Sequence, residues 1–511
     1  MKKYILIAIA GLSFTTIQAQ EVRDALQYGQ SDLSGTSRFR AMSGAFGALG
    51  GDFSSINVNP AGSAVFTTSQ VGVTASNSNI KNKSSYFGTQ NSESENTFDL
   101  LNQAGAAFVF YPNNEKSGWK KFVLSVNYEN TKNFDNSYFS SGTNPNNSVG
   151  NYFVNRANNA NVTVGDLDNF YYDAFTLREQ TAYLGYQAYV LNPAGIVNPG
   201  DVVNPNTTSY VSNIAPGGNY YQENAFLSRG YNGKLSFNAA AQYSDRFFFG
   251  LNLNTHFTDY SQSTSFYESN TNSQTTGVRN LRYNRDLYTY GSGFSFQLGA
   301  IAKVTEALRL GLAYESPTWY EFNDELRQTV GSTGYNYGSP ANPNLSSTLT
   351  DTNITIVYDP YRLQTPGKWT GSAAYVFGKS ALISVDYSVK DYGNSKFRPN
   401  DSYFNPVNNE ISDVLDLAGE LRIGAEYRIK QWSLRGGFRN EQSPYKNKNT
   451  MGDLTGFSGG FGYNFGYTKL DLAYSYGQRD SQQGFFSYGF TDGANIKSVN
   501  NTVSLSLLFE L

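Results

Sequence analysis

Few side chains in these 511 residues are equipped for chemistry. There is no cysteine, one histidine (His256) and three methionines, so no soft or imidazole-rich metal site can be assembled. His256 could act as the base of a lipid hydrolase. That chemistry needs a serine nucleophile beside it and a third group to orient the ring, and no strand-to-helix nucleophile elbow is evident. His256 therefore reads as a structural residue of a lumen or rim. Gly44, Gly47, Gly50 and Gly51 superficially suggest a phosphate loop, but the preceding strand and the lysine are missing. Asp351-Thr352-Asn353 lacks the ligand spacing of a defined calcium site. Arginines are more promising. Arg435 and Arg439 share one phase of an alternating segment and could draw in an anionic head group, or could simply be solvated charges. Arg38 and Arg40 could meet carboxylates of the protein or of a ligand. No metal and no cofactor is expected.

The elements that must position these residues are strands. Phe249, Leu251 and Leu253 alternate with Gly250, Asn252 and Asn254. Ile383, Val385, Tyr387 and Val389 alternate with Ser384, Asp386, Ser388 and Lys390. Similar runs occur at 122–129, 310–315, 421–429 and 470–477. Period-2 alternation marks strands with one apolar face. A soluble sandwich would alternate too, but with short strands and a polar face rich in Lys and Glu. Here charged residues are only 15% and aromatics reach 15%, against about 25% charged in soluble proteins. A cation on a lipid-facing position costs roughly 2–4 kcal/mol at the midplane, which accounts for apolar positions this clean.

Candidate strands fall at 69–79, 103–112, 120–132, 230–243, 246–266, 288–303, 307–328, 353–377, 380–396, 418–430, 431–442, 453–464, 468–479 and 496–511. That makes fourteen, an even number as bacterial barrels require. Short connections, such as Pro112-Asn113-Asn114, Ser244-Asp245 and Lys430-Gln431, alternate with long ones, the longest near 133–229. Short periplasmic turns opposite long external loops are the expected asymmetry, and they put both termini in the periplasm. The fold class is all-β: a 14-stranded antiparallel transmembrane barrel spanning 67–511. The alternating terminal strand, ending in Leu511 rather than an aromatic, suits recognition by barrel-assembly machinery.

Lys2 and Lys3, the apolar stretch Tyr4–Phe14 and Ile17-Gln18-Ala19 read as a signal peptide over 1–19, cleaved before Gln20. No later run offers about twenty apolar residues, the length a spanning helix needs. Mean hydropathy is −0.46, and the net charge of −3 gives no basic excess for nucleic acid. The expected setting is the outer membrane of a Gram-negative bacterium. The expected partners are its lipid and lipopolysaccharide, with the chain a monomer.

Residues 20–66 lack alternation and are rich in Gly, Ser and Ala. Their segments Arg38-Phe39-Arg40-Ala41-Met42-Ser43-Gly44-Ala45 and Asn59-Pro60-Ala61-Gly62 resemble the N-terminal hatch of the long-chain fatty-acid transporter (FadL/TodX) family, with its Asn-Pro-Ala signature. Weaker echoes lie at Leu310–Pro317 and at Leu434-Arg435-Gly436-Gly437-Phe438 followed by Ser443-Pro444. The resemblance implies fourteen strands, a hatch of residues 20–66 inside the lumen with Arg38, Phe39, Arg40, Asn59, Pro60, Ala61 and Gly62 in its signature, and no enzymatic activity. It further implies capture of hydrophobic small molecules such as fatty acids at external loops, and sideways release through a kinked wall strand. The loop near 133–229 has no counterpart in it. Two other readings stay open: a barrel-anchored adhesion protein using that loop, and a haem-binding receptor.

Overall fold

Alternation resolves into a closed wall. The structure, a computed structural model, describes residues 21–113, 117–195, 202–272, 277–335, 345–401 and 403–511; the leader expected at 1–19 and Asn114 of the first short turn lie outside them. The wall strands are β1 (Gln70–Tyr86), β2 (Thr89–Phe110), β3 (Trp119–Asn133, resuming as Asn136–Asn144), β4 (Tyr220–Tyr243), β5 (Phe247–Ser269), β6 (Gly277–Lys303) and β7 (Leu308–Glu315, resuming as Trp319–Tyr335). They continue as β8 (Leu345–Asp351, Ile356–Val357, Tyr361–Gln364 and Lys368–Phe377), β9 (Ala381–Asp391), β10 (Leu417–Ile429), β11 (Trp432–Glu441), β12 (Leu454–Asn464), β13 (Thr468–Gly484) and β14 (Gly493–Glu510). Each pairs antiparallel with its neighbours, and β14 returns to β1 from Gln70 opposite Glu510 up to Ser85 opposite Asn495. Closure pairs every strand with both neighbours, the condition for a sheet to stand in hydrocarbon, with the β2–β3 ladder confined to Gln103–Phe110.

Exposure follows the sequence phase. Leu251, Leu253, Ile383, Tyr387 and Tyr427 face outward and are exposed, while Asn252, Asn254, Ser384 and Asp386 face inward and are buried. Outward aromatics such as Phe247, Phe377, Trp432 and Phe465 crowd the short-turn rim, as an interfacial girdle does.

The strands run further than their apolar alternation. β1 and β2 were expected to stop at 79 and to begin again at 103, yet they continue to a two-residue turn at Phe87-Gly88 with φ of 40° and 86°. Positive φ at both positions is the type I′ geometry that suits a twisted hairpin. Above residue 79 the outer face of β1 carries Lys81 and Lys83 and its inner face buries the polar Asn82 and Ser84, so the apolar signal disappears while the hydrogen-bond ladder persists. The span 133–229 is likewise no open loop, as the insert described below shows.

Inside the wall, residues 21–66 carry α1 (Val22–Gly29), α2 (Ser37–Ala41) and two 3-10 turns, Ser54–Asn57 and Pro60–Val65. Over the long-loop rim lie α3 (Gly150–Ala160), α4 (Val164–Asn169), α5 (Leu177–Gln187) and a small hairpin, Leu191–Pro193 with Tyr210–Ser212. Thr163 with Asp166 and Thr176 with Glu179 form capping boxes that start α4 and α5. This insert buries Phe153, Leu184 and Leu191 against inward residues of β5 to β7, among them Phe266, Tyr283, Leu326 and Val330. A further helix, α6 (Asn405–Val414), shares a core with α1 through Leu26, Phe322, Phe397 and Ile411. The two ends of the described chain sit at opposite rims. Leu511 N–H donates to Ser69 C=O at the short-turn rim, while Glu21 accepts from Ser487 in the loop above β13. This corrects the expectation that both termini share one side.

Candidate functional site

The N-terminal segment lacks the length or the ladder to fold alone, and the wall holds it by its backbone. Asp386 of β9 accepts from the amides of Phe46 and Gly47, both at 2.9 Å. Asn252 donates to Ile56 C=O at 2.8 Å, Asn238 to Pro60 C=O at 3.0 Å, Gln297 to Asn57 C=O at 3.1 Å and Arg309 to Leu49 C=O at 3.1 Å. Such buried side chains leave few backbone groups of the plug without a partner, which its irregular conformation would otherwise cost. Asn59 ties the lower turn together. Its Nδ2 donates to Gly47 C=O at 2.7 Å and to Ala300 C=O at 3.1 Å, and its Oδ1 accepts from Ala61 N–H. Pro60 fits the first position of the 3-10 turn, where no amide is needed.

Close approach requires glycine in the wall. A Cβ at Gly250 would overlap the backbone of Pro60 and Ala61, and one at Gly437 would overlap that of Met42 and Ser43. Gly311 and Gly424 meet the plug backbone in the same way, and Gly299 and Gly460 make room for the side chains of Asn59 and Ala41, all within a few residues of the short-turn rim. This belt of inward glycines was visible in the sequence as small residues at the inward phase, and it escaped the reading because glycine there also suits any tight lumen.

The arginines divide. Arg38 meets Glu426 at 2.9 Å and also donates to Gly51 C=O, stacking over Phe46. Arg435 joins the same carboxylate at 2.7 Å and Asp471 at 2.5 Å, so this pair of predicted positions forms one buried network between plug and wall. Arg439 pairs with Glu441 at 3.0 Å and lines a cavity of about 120 Å³ with Arg40, Asp32 and Asp99. Arg40 donates to Leu33 C=O, while its Nε and Nη1 are buried without a partner, and burial brings its guanidinium down to about 10. Phe39 packs beside Phe46 beneath them.

That cavity opens toward a break in the wall. β2 pairs with β3 from Phe110 opposite Phe122 to Gln103 opposite Glu129, and no further. Above this point β2 pairs with β1 alone. The upper arm of β3, Asn136–Asn144, pairs with β4 and leans inward behind the hairpin. Its Ser140 reaches Ser84 at 2.5 Å and its Ser137 C=O accepts from Asn82 at 2.6 Å, both partners being inward-facing residues of β1. Unpaired backbone at membrane depth is costly unless other groups satisfy it; here Asp99 satisfies one such amide and gathers two side-chain amides across the break. It accepts from Leu101 N–H at 3.1 Å, Asn102 at 3.2 Å and Asn130 at 3.0 Å. Outside the break stand Phe98, Leu100 and Leu101, exposed by 67%, 74% and 49%. In the sequence, Phe98 and Leu100 flank Asp99 too briefly to mark where the β2–β3 ladder stops.

A second cavity, about 80 Å³, lies at the opposite end of the plug between α1 and the insert. Its wall combines Tyr28, Tyr152, Phe266 and Phe486 with Arg156 and Arg285, whose Nε atoms are buried and unpartnered. His256 lies between the two regions. Its Nε2 is 2.9 Å from Ser295 Oγ, but its Nδ1 faces the Tyr320 hydroxyl rather than a carboxylate, and Ser295 is fully buried. The literal G-x-S-x-G match at Gly456–Gly460 lies within β12, where Ser458 donates to Ala41 C=O, and forms no elbow. Among the described residues no group of His, Asp or Glu is arranged to hold a metal.

A closed fourteen-strand antiparallel barrel whose apolar side chains face outward and whose lumen holds a folded N-terminal segment is the architecture of an outer-membrane channel. Residues 202–486, more than half of the chain, match the model of the family described as outer membrane protein transport protein (OMPP1/FadL/TodX), and the chain belongs to that family. The matched stretch contains both weaker sequence echoes, at 310–317 and 434–444, and excludes the Asn-Pro-Ala segment. Among solved structures it is similar to a Pseudomonas aeruginosa FadL homologue, with 12% identity, TM-score 0.55, and coverage of 94% of this chain and 99% of that one. The Ralstonia pickettii toluene transporter TbuX aligns with 14% identity, TM-score 0.49 and coverage of 94% and 100%. The Pseudomonas putida toluene transporter TodX aligns with 12% identity, TM-score 0.49 and coverage of 94% and 99%. No curated protein matches by sequence.

Proposed function

We propose that this chain carries hydrophobic small molecules, such as long-chain fatty acids, across the outer membrane by passive uptake and releases them sideways through the β2–β3 seam. The short-turn rim faces the periplasm, residues 21–66 act as the hatch that blocks the straight route, and the chain performs no catalysis. The observation that carries this reading is the seam itself: a stretch of wall without a backbone ladder, with a polar cavity behind it and Phe98, Leu100 and Leu101 outside. Each CH₂ kept out of water is worth about 0.8 kcal/mol, so a lateral exit spares an acyl chain the crossing of the periplasmic face. Ligand enters at the aromatic cavity under the insert, where Arg156 and Arg285 suit an acidic head group, and Arg40 and Arg439 offer a second cationic station beside the seam. The adhesion and haem-receptor readings find less support, because the insert spends its apolar side chains on the barrel interior.

The absence of native cysteine makes a clean test possible. The side-chain ends of Asp99 and Asn130 touch across the break at 3.0 Å, so in the double variant Asp99→Cys, Asn130→Cys two thiols face one another, and oxidation staples the seam once the Cβ atoms come within about 4.5 Å. Uptake of a labelled fatty acid by cells carrying the oxidised variant should fall at least ~10-fold, a barrier rise of roughly 1.4 kcal/mol. It should recover on reduction, and each single variant should stay close to wild type. Full uptake with the disulfide formed would refute the lateral route.

A further inference from the structure

Most outward-facing arginines on the long-loop half of the wall meet a carboxylate. Arg282 faces Glu223 at 4.0 Å, Arg327 faces Asp351 at 2.9 Å and Arg362 faces Glu321 at 3.2 Å. One sector departs from this pattern. Lys83 of β1 and Lys497 of β14 are exposed and stand directly opposite one another in register. With Lys448 they line an open groove of about 810 Å³ whose other lining residues are mainly Ser, Asn and Gln, with one carboxylate, Asp480. Lys81 follows one outward position below Lys83. None of these four lysines takes part in an ion pair seen among the described residues, although Asp480 sits opposite Lys497 on the other side. Like charges directly opposed across an antiparallel pair repel one another, and the single carboxylate lining the groove, Asp480, offsets only part of the charge of three lysines, so a further anion is favoured there.

Height above the membrane identifies the anion. On β14 the outward residues read Phe509, Leu507, Leu505 and Val503 before Asn501, Val499 and Lys497. Twelve residues separate Phe509 from Lys497, and at about 3.4 Å per residue and a tilt near 40° they rise roughly 30 Å along the membrane normal. The apolar band of such a barrel is about 25 Å tall. Lys497 and Lys83 therefore emerge just beyond the hydrocarbon on the long-loop side, at the level of the outer-leaflet head groups. We infer that this groove seats the phosphorylated sugar head group of an outer-leaflet glycolipid, with Lys83, Lys448 and Lys497 on its phosphates and the Ser and Asn side chains on its hydroxyls. The site lies outside the barrel and apart from the transport path.

The test uses the full-length protein in a nonionic detergent, followed by native mass spectrometry during titration with bisphosphorylated lipid A, with dephosphorylated lipid A, and with inorganic phosphate as competitor. The triple variant Lys83→Gln, Lys448→Gln, Lys497→Gln should bind bisphosphorylated lipid A roughly 100-fold more weakly, following the contribution of each lysine near an anionic surface. Dephosphorylated lipid A should bind both proteins equally weakly, and excess inorganic phosphate should leave the wild-type complex intact. Equal affinity of wild type and variant, or displacement by phosphate alone, would overturn the assignment. Heat-modifiable electrophoretic mobility reports folding. If the triple variant fails that check, Lys83→Gln alone decides, with an expected loss of about 5-fold against none.

Discussion

The floor of the lumen and the seam above it solve opposite problems with the same side-chain types. At the floor the wall ladder is complete, inward glycines let the plug come close, and Asp386, Asn238, Asn252 and Gln297 grip its backbone. At the seam the ladder stops at Gln103 and Glu129, and Asp99 takes the Leu101 amide and joins Asn102 and Asn130 in a side-chain cluster that bridges the break. Polar residues lock a segment to a continuous wall in the first region and stand in for a missing wall in the second. A ladder must break cooperatively along its length, whereas a handful of side-chain contacts can part and re-form locally. On the proposed route the floor is the seal and the seam the exit.

Three substitutions break or sharpen that contrast. The largest effect is expected at the floor from Asp386→Ala, which strips the acceptor from two buried amides, Phe46 and Gly47; hydrogen bonds to a charged group are worth about 1.5–3 kcal/mol each. The barrel should still assemble while the plug loosens, seen as sensitivity to large hydrophilic antibiotics that wild type excludes. Unchanged exclusion would mean that the plug is held elsewhere. Asn59→Ala removes both donors and the acceptor that knit the Asn-Pro-Ala turn to Gly47, Ala300 and Ala61. It should weaken the same seal by about 1–3 kcal/mol, giving a smaller leak in planar-bilayer conductance and leaving lateral fatty-acid uptake close to normal.

The smallest effect concerns the upper end of the plug. Burial, reinforced by the neighbouring Glu21 carboxylate, raises the Asp24 carboxyl from its ordinary 3.8 to about 7. The docked helix thus binds this proton more tightly than a free carboxyl would, so docking of α1 is strongest below pH 3.8, declines as pH rises toward 7 and changes little above it. Hydrogen exchange across residues 22–29, corrected for intrinsic rates, should accelerate modestly from pH 5 to pH 7.5 in wild type and stay flat in Asp24→Asn. A flat wild-type profile would show that Asp24 is solvated in the working state.

Much of this was legible in the residues. Period 2 with apolar residues on one phase located all fourteen strands near their lower ends, where Leu251, Ile383 and Tyr427 face hydrocarbon. It failed at their upper ends, since β1 above residue 79 and β2 from 89 to 97 are polar at nearly every position, and Phe98 and Leu100 are too short a run to carry a phase. The capping boxes at Thr163 and Thr176 are present in the sequence and mark two helices of the insert, within the span 133–229 expected to be a long loop. Arg435 and Arg439 were rightly placed on one inward phase, but phase cannot say that Glu426 and Asp471 would occupy the first while the second reaches a cavity.

Sequence by itself determined the solvent of each face, because transfer of a side chain to hydrocarbon or water is a property of that side chain and its phase along the strand. Tertiary structure alone decided where the ladder ends, which glycines receive the plug and which cations remain unpaired. Those outcomes depend on residues hundreds of positions apart, Gly437 against Met42 or Lys83 against Lys497, meeting only when the sheet closes on itself.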